Sequence, residues 1–246
     1  MPLPVIPPSP GVGNVLGTFL NVGAILAGSF IGVCVGSRLP DRMRVTVLQG
    51  LGLVIVLIGI QMALQTKNIL VVLGSLLTGG IIGEALRIND GLEGLGRFLQ
   101  SALARRQSST FGEGFVTASL IFCVGPMAIL GSIQDGIVGD YRLLAVKAML
   151  DGFASIAFAA SLGWGVAFSV LSILLYQGSI TLCATALARA LTDPMIGEMT
   201  ATGGLIIVGI GLKLLEIKEI RLASFLPALL IAPSIMAVLS AVESYF

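Results

Sequence analysis

Histidine is absent from this 246-residue chain, and cysteine, tryptophan and charge are scarce: three Cys, one Trp and 11% Asp, Glu, Lys and Arg together. Without imidazole there is no histidine metal site and no histidine base, so haem and zinc chemistry fall away. Fourteen basic residues against thirteen acidic ones leave a formal charge of +1, which provides no basic face for nucleic acid. Cys34, Cys123 and Cys183 lie far apart in apolar runs without a CxxC pair, and they read as buried free thiols rather than disulfides. No GxGxxG or GxxxxGK[ST] stretch marks a nucleotide, and no nucleophile and base stand in a recognisable arrangement. The chain therefore does not read as an enzyme, and no catalytic residue, metal or cofactor is expected.

What the chain has in abundance is apolar surface: 56% hydrophobic residues and a mean hydropathy of +1.02. A soluble domain carries about 25% charged residues, and a globule of this size could not bury so much apolar area beneath a polar exterior. The reading is an all-α, polytopic transmembrane helix bundle, a single integral membrane domain over residues 1–246. The start, MPLPVIPPSP, has no Lys or Arg for a signal-peptide n-region and reads as a retained Pro-rich lead-in.

A helix needs about 20 largely apolar residues to cross the hydrocarbon. Cutting at charges, Pro and Gly clusters leaves about eight spans, A to H, at residues 14–37, 44–65, 69–88, 112–134, 143–163, 166–188, 195–216 and 221–242. Thr110 and Glu113 have capping-box spacing for D, and Asp193 before Pro194 suits the start of G. Residues 89–109 place Leu92, Leu95, Phe98, Leu99 and Leu103 near a helical period among Arg97, Arg105 and Arg106. That segment is expected to lie along the headgroups as an amphipathic helix, with Glu93 and Arg97 paired one turn apart.

Ten basic residues fall in the A–B, C–D and G–H connections: Arg38, Arg42, Arg44, Arg87, Arg97, Arg105, Arg106, Lys213, Lys218 and Arg221. Lys67, Arg142, Lys147 and Arg189 make four on the other side, so both termini are expected outside the cytoplasm. B and G share a motif: Gly52–Ile60 (GLVIVLIGI) and Gly204–Leu212 (GLIIVGIGL) agree at six of nine positions, 152 residues apart. At offset 150, Gly28-Ser29 of A meets Gly178-Ser179 of F. Residues 14–88 and 166–242 thus read as three-helix repeats, A-B-C and F-G-H, flanking a central pair at 110–165. Five spans apart, the repeats would be inverted, a plan common among secondary transporters, although duplication without transport fits the same pattern.

Polar residues in lipid are expensive and mark function by default. D carries Gly125-Pro126, a break or hinge able to free carbonyls near Phe122, followed by Ser132, Gln134 and Asp135. E carries Lys147 and Asp151 on one face, able to pair or to serve an ion. Asn21, Gln177, Glu198, Thr200 and Thr202 are further candidates, each also explicable as interhelical hydrogen bonding. Gly28, Gly32 and Gly36 form a stripe on A, with Ser155, Ala159 and Gly163 on E, suited to packing, dimer contacts or sliding alike.

Five segments resemble the YdfK/YqgA type of bacterial membrane protein, a family of unknown function: Phe122–Gly136 (FCVGPMAILGSIQDG), Lys147–Ser155 (KAMLDGFAS), Thr200–Leu212 (TATGGLIIVGIGL), Gly17–Asn21 (GTFLN) and Phe225–Leu230 (FLPALL). The resemblance implies a multi-pass inner-membrane protein and names no substrate. The residues themselves point to a small secondary transporter, proton- or sodium-coupled, around Asp135, Asp151, Gln134 and Gln177. A channel, or a non-transporting subunit of a larger complex, is the alternative. The partners expected are the lipid bilayer, a small ion or solute and a second copy of the chain in a homodimer.

Overall fold

Backbone amides and carbonyls find no water in a bilayer, so apolar runs of this length close their hydrogen bonds internally as helices. The structure, a computed structural model, describes residues 15–38, 40–103 and 110–243. The Pro-rich lead-in, Arg105, Arg106 and the side chain of Arg44 lie outside the described residues. Among those described the chain is helical, without a strand: α1 (Leu16–Gly36), α2 (Asp41–Ala63), α3 (Ile69–Ala85), α4 (Ile88–Leu103), α5 (Phe111–Cys123), α6 (Pro126–Val138), α7 (Arg142–Leu162), α8 (Gly165–Phe168), α9 (Val170–Leu182), α10 (Ala184–Ala190), α11 (Asp193–Leu214) and α12 (Ala228–Glu243), the last preceded by a 3₁₀ turn at Leu222–Phe225. Six helical stretches are long and apolar enough to cross a membrane alone; two bent pairs, α3 with α4 at 56° and α5 with α6 at 62°, raise the number to as many as eight.

Glycine contacts fix the directions. α1 and α7 run parallel, with Gly28 against Gly152 and Ser155, Gly32 against Ile156 and Ala159, and Gly36 against Ala160. α2 and α11 run antiparallel, because Gly52 faces Gly211 while Gly59 faces Gly204. α3 meets α12 and its leading turn the same way, through Gly74 on Ile235, Gly79 on Ala228 and Gly83 on Ser224. α9 packs on α1. Followed in order, these contacts put the turns after α1, α3, α7 and α11 at one end of the bundle. Those after α2, α6 and α10 sit at the other. The first end carries Arg38, Arg42, Arg87, Arg97, Lys213, Lys218 and Arg221. Span α11 is the centre, 78% of its apolar window being buried against 17–39% in the other five self-sufficient spans. Phe122 and Phe158 meet edge to face at 6.1 Å beside it in the main core.

Several expectations change. Span D is two half-helices bent at Val124-Gly125, and F is divided at Ser169 and Cys183 into α8, α9 and α10. Thr110 forms no capping box; its hydroxyl donates to the Leu162 carbonyl at 3.2 Å, one of the terminal carbonyls that α7 cannot satisfy itself. Thr192, not Asp193, occupies the cap position of α11, and Asp193 stands in the first turn beside Pro194. The thiols are free as expected, but Cys34 and Cys183 are exposed, because in lipid the outer surface is also apolar. The stripe on α1 is consumed within the chain by α7, which leaves it unavailable for a dimer contact. Helix α4 forms where the amphipathic segment was expected, with Glu93 and Arg97 paired at 3.6 Å.

Candidate functional site

Lys147 and Asp151 stand one turn apart on the inner face of α7 and form an ion pair. Asn21 of α1 faces them and donates from Nδ2 to Asp151 Oδ2 at 3.0 Å and to Gln177 Oε1 of α9 at 2.9 Å. The close α1–α7 approach, backbone over small residues, is what brings the Asn21 amide within reach of the carboxylate. None of the four residues is more than 9% exposed. A carboxylate so enclosed needs a compensating charge, and Lys147 supplies it while the Asn21 amide donates to it as well. Two groups stay unpartnered: the Asn21 Oδ1 acceptor and the Gln177 Nε2 donor. The cluster therefore offers one acceptor, one donor and a separable pair of opposite charges to a small polar guest.

One turn along α1, Asp135 of α6 accepts from the Gly17 amide at 2.9 Å, fully buried. This bond caps α1 from a distance, since Val15 at its cap position offers no polar side chain. Asp135 Oδ1 has no partner, nor do Ser132 Oγ and Thr18 Oγ1, all buried. The break above α6 is real: Gly125 has φ 150° and ψ 153°, a conformation held almost only by glycine. A cavity of about 10 Å³ lies beside it, edged by Val124, Gly125, Ile129, Tyr176, Met199 and Thr200, and the Thr200 hydroxyl is buried without a partner.

The structure brings Asn21, Lys147, Asp151 and Gln177 together, sets Asp135 against the same helix α1 with Ser132 buried one turn before it, and separates the rest. Gln134 is exposed, because its position on α6 lies roughly 160–200° around the helix from Ser132 at about 100° per residue; it does not belong to the site. Glu198 is elsewhere too: its carboxylate accepts from Thr66 Oγ1 at 2.6 Å, Lys67 N at 2.7 Å and Asn68 N at 3.0 Å, so it pins the α2–α3 turn. Thr202 only bonds back to the Glu198 carbonyl in its own helix. The sequence reading missed Thr18, whose hydroxyl in an apolar run was the only signal. It also missed the meeting of Arg221 with Glu84, Asp90 and, through Glu84, Ser224 at the basic end, for which residues some 130 apart give no local sign. A cleft of about 250 Å³ opens beside it, where Asn89, Glu93, Arg97, Glu113 and Lys213 meet apolar residues such as Ile210 and Leu222. Among the described residues no three of His, Cys, Asp or Glu gather as a metal site.

No solved structure matches the chain. Two relatives do at full length. It is 34% identical over 230 residues to "Uncharacterized membrane protein YdfK" of Bacillus subtilis (strain 168), covering 92% of this chain and 97% of the relative. It is 33% identical over 236 residues to "Uncharacterized protein YqgA" of Escherichia coli (strain K12), covering 91% and 97%. The family model described as "Protein of unknown function (DUF554)" spans residues 16–237, which takes in both Asp135 and the Lys147 cluster. The chain is a membrane protein of the DUF554 family.

Proposed function

We propose that this protein is a secondary transporter of an ion or small polar solute, with Asn21, Lys147, Asp151 and Gln177 as the substrate site. The observation that carries the reading is the Lys147–Asp151 pair itself, buried in otherwise apolar helices and joined by two amides that keep an unused donor and acceptor. A purely structural ion pair gains little over apolar packing, so its retention in a membrane core argues for use. Substrate charge replaces one partner and releases the other, and the Gly125 break supplies a hinge between the halves of the fourth span.

The packing supports inverted repeats as the moving parts. Each expected mate touches its counterpart: α1 with α9, α2 with α11, α3 with α12. The contacts Gly52–Gly211 and Gly59–Gly204 exchange into one another when Gly52 is equated with Gly204 and Gly59 with Gly211, as a two-fold axis in the membrane plane requires. The basic end faces the cytoplasm of an inner membrane, with both termini outside. In a cysteine-free background, Lys218→Cys is then labelled only from inside and Asp140→Cys only from outside. The homodimer uses a surface other than the α1 stripe, and crosslinking in native membranes reads it.

The functional test is uptake into proteoliposomes from a panel of labelled ions, amino acids and small carboxylates, under imposed Na⁺ and H⁺ gradients. Wild type accumulates one solute class under a gradient, and Asp151→Asn and Lys147→Met abolish it. Gradient-driven uptake that persists in both variants overturns the site; absence of uptake for the whole panel overturns the transporter.

A further inference from the structure

Four buried oxygen atoms without partners belong to residues within about one helical turn of one contact, the Gly17–Asp135 bond between α1 and α6. They are Asp135 Oδ1 and Ser132 Oγ on α6, and Thr18 Oγ1 and Asn21 Oδ1 on α1, in residues at most 1% exposed. At about 100° per residue Asn21 and Thr18 stand within about 40° and 100° of Gly17 around α1, and Ser132 precedes Asp135 by one turn of α6. All four therefore stand within about one helical turn of that bond. Neither hydroxyl takes the back-bond to its own helix that Thr181 and Thr202 make, so each is free to point its oxygen elsewhere. Asn21 cannot turn its amide to hide the oxygen, because both hydrogens of Nδ2 are committed, to Asp151 and to Gln177. The Asp135 carboxylate has one described hydrogen bond, from a backbone amide, and among the described residues no Lys or Arg pairs with it.

We infer that these four oxygens form a Na⁺ site. One carboxylate balances one positive charge, whereas a divalent ion would leave an uncompensated charge in the membrane interior. Hydroxyl, amide and carboxylate oxygens are the ligands hard cations prefer, and no soft or imidazole ligand stands near. Asn21 gives this site its oxygen, the acceptor left unused in the Lys147–Asp151 cluster, and keeps its nitrogen on that cluster, which with Na⁺ bound offers a solute the Gln177 donor and the charge pair. Occupation of one site thus orients the amide that serves the other. The coupling of Na⁺ to a solute rests on the transporter reading; the Na⁺ site itself does not.

The test is thermal unfolding and equilibrium binding of radioactive Na⁺, on the full chain in detergent, with NaCl, KCl or choline chloride at equal ionic strength. Wild type shows a saturable stabilisation by Na⁺ alone. Asp135→Asn, which keeps an acceptor for the Gly17 amide and so keeps α1 capped, removes it. Ser132→Ala and Thr18→Val each raise the half-saturating Na⁺ concentration by about tenfold or more. These two variants carry the test if Asp135→Asn does not fold. Equal stabilisation by K⁺ or choline, or a Na⁺ response unchanged in Ser132→Ala and Thr18→Val, overturns the site. Na⁺ binding as stated with no solute uptake removes the transporter and leaves the site. Uptake independent of Na⁺, with no Na⁺ binding, does the reverse.

Discussion

Breaking the Lys147–Asp151 pair from either side, and then from both, separates its contribution to stability from its role in the proposed transport. The two side chains are only 7% and 12% exposed, so removing one partner strands a charge away from water. Such a loss costs about 3–5 kcal/mol. For a chain of this size each kcal/mol moves the melting temperature by about 2–4 °C, so Lys147→Met and Asp151→Leu should each melt roughly 6–20 °C below wild type. The double variant removes both charges, and pairs replaced in this way by apolar side chains are neutral or gain about 1–4 kcal/mol. Against that stands Asn21, whose Nδ2 loses its 3.0 Å bond to Asp151 and strands a buried donor at a cost of about 1–3 kcal/mol. The double variant should therefore lie within about 3 kcal/mol of wild type, well above either single one, yet transport nothing. The fluorescence of Trp164, the chain's single tryptophan, between α7 and α8, follows the unfolding directly. Single variants that melt with wild type, or a double variant as unstable as the singles combined, would show that the two charges are not coupled and refute the reasoning.

Four further outcomes test the packing and the reading of individual residues. Gly32→Leu should abolish folded protein, since even a Cβ there collides with the Ile156 carbonyl and Ala159, whereas Gly23→Ala meets nothing within 4 Å and should leave the yield of folded protein at least equal; size exclusion in detergent compares them. Gly125→Ala meets no neighbour within 4 Å either, but its φ of 150° makes an L-residue strained by about 1–3 kcal/mol, so the melting temperature falls without any steric clash. Gln134→Leu, on an exposed face, should leave uptake and stability as they are, and lost uptake would return Gln134 to the site. Glu198→Leu strips the Lys67 amide of its acceptor and leaves the Asn68 amide only the Thr66 hydroxyl at 3.2 Å, so hydrogen exchange should accelerate, most at Lys67, while the Lys147 cluster stays protected.

Much of this architecture follows from residue types alone. Lipid offers no partner to a backbone, so apolar runs such as 16–36 and 142–162 had to be helices, and the charges between them had to be ends. Helical periodicity likewise places Lys147 beside Asp151, and the Gly-Pro step marks the break at Gly125. Periodicity says nothing, however, about which face of a helix finds a neighbour. Gln134 and Asp135 are adjacent and equally polar, yet only the packing of α6 on α1 buries one and leaves the other out. Asn21 lies 130 residues from Asp151 and 156 from Gln177, and their convergence exists only because small residues let α1 and α7 approach backbone to backbone. The capping box at Thr110 failed because its backbone is helical (φ −90°, ψ −2°) rather than extended, so its oxygen caps no amide and its hydroxyl donates to a terminal carbonyl of α7, 52 residues away. Composition and local spacing determined the solvent, the spans and the charged ends. Only the tertiary structure decided which polar groups share a site, because burial in a helix bundle is a property of pairs of faces and no single stretch of sequence contains both.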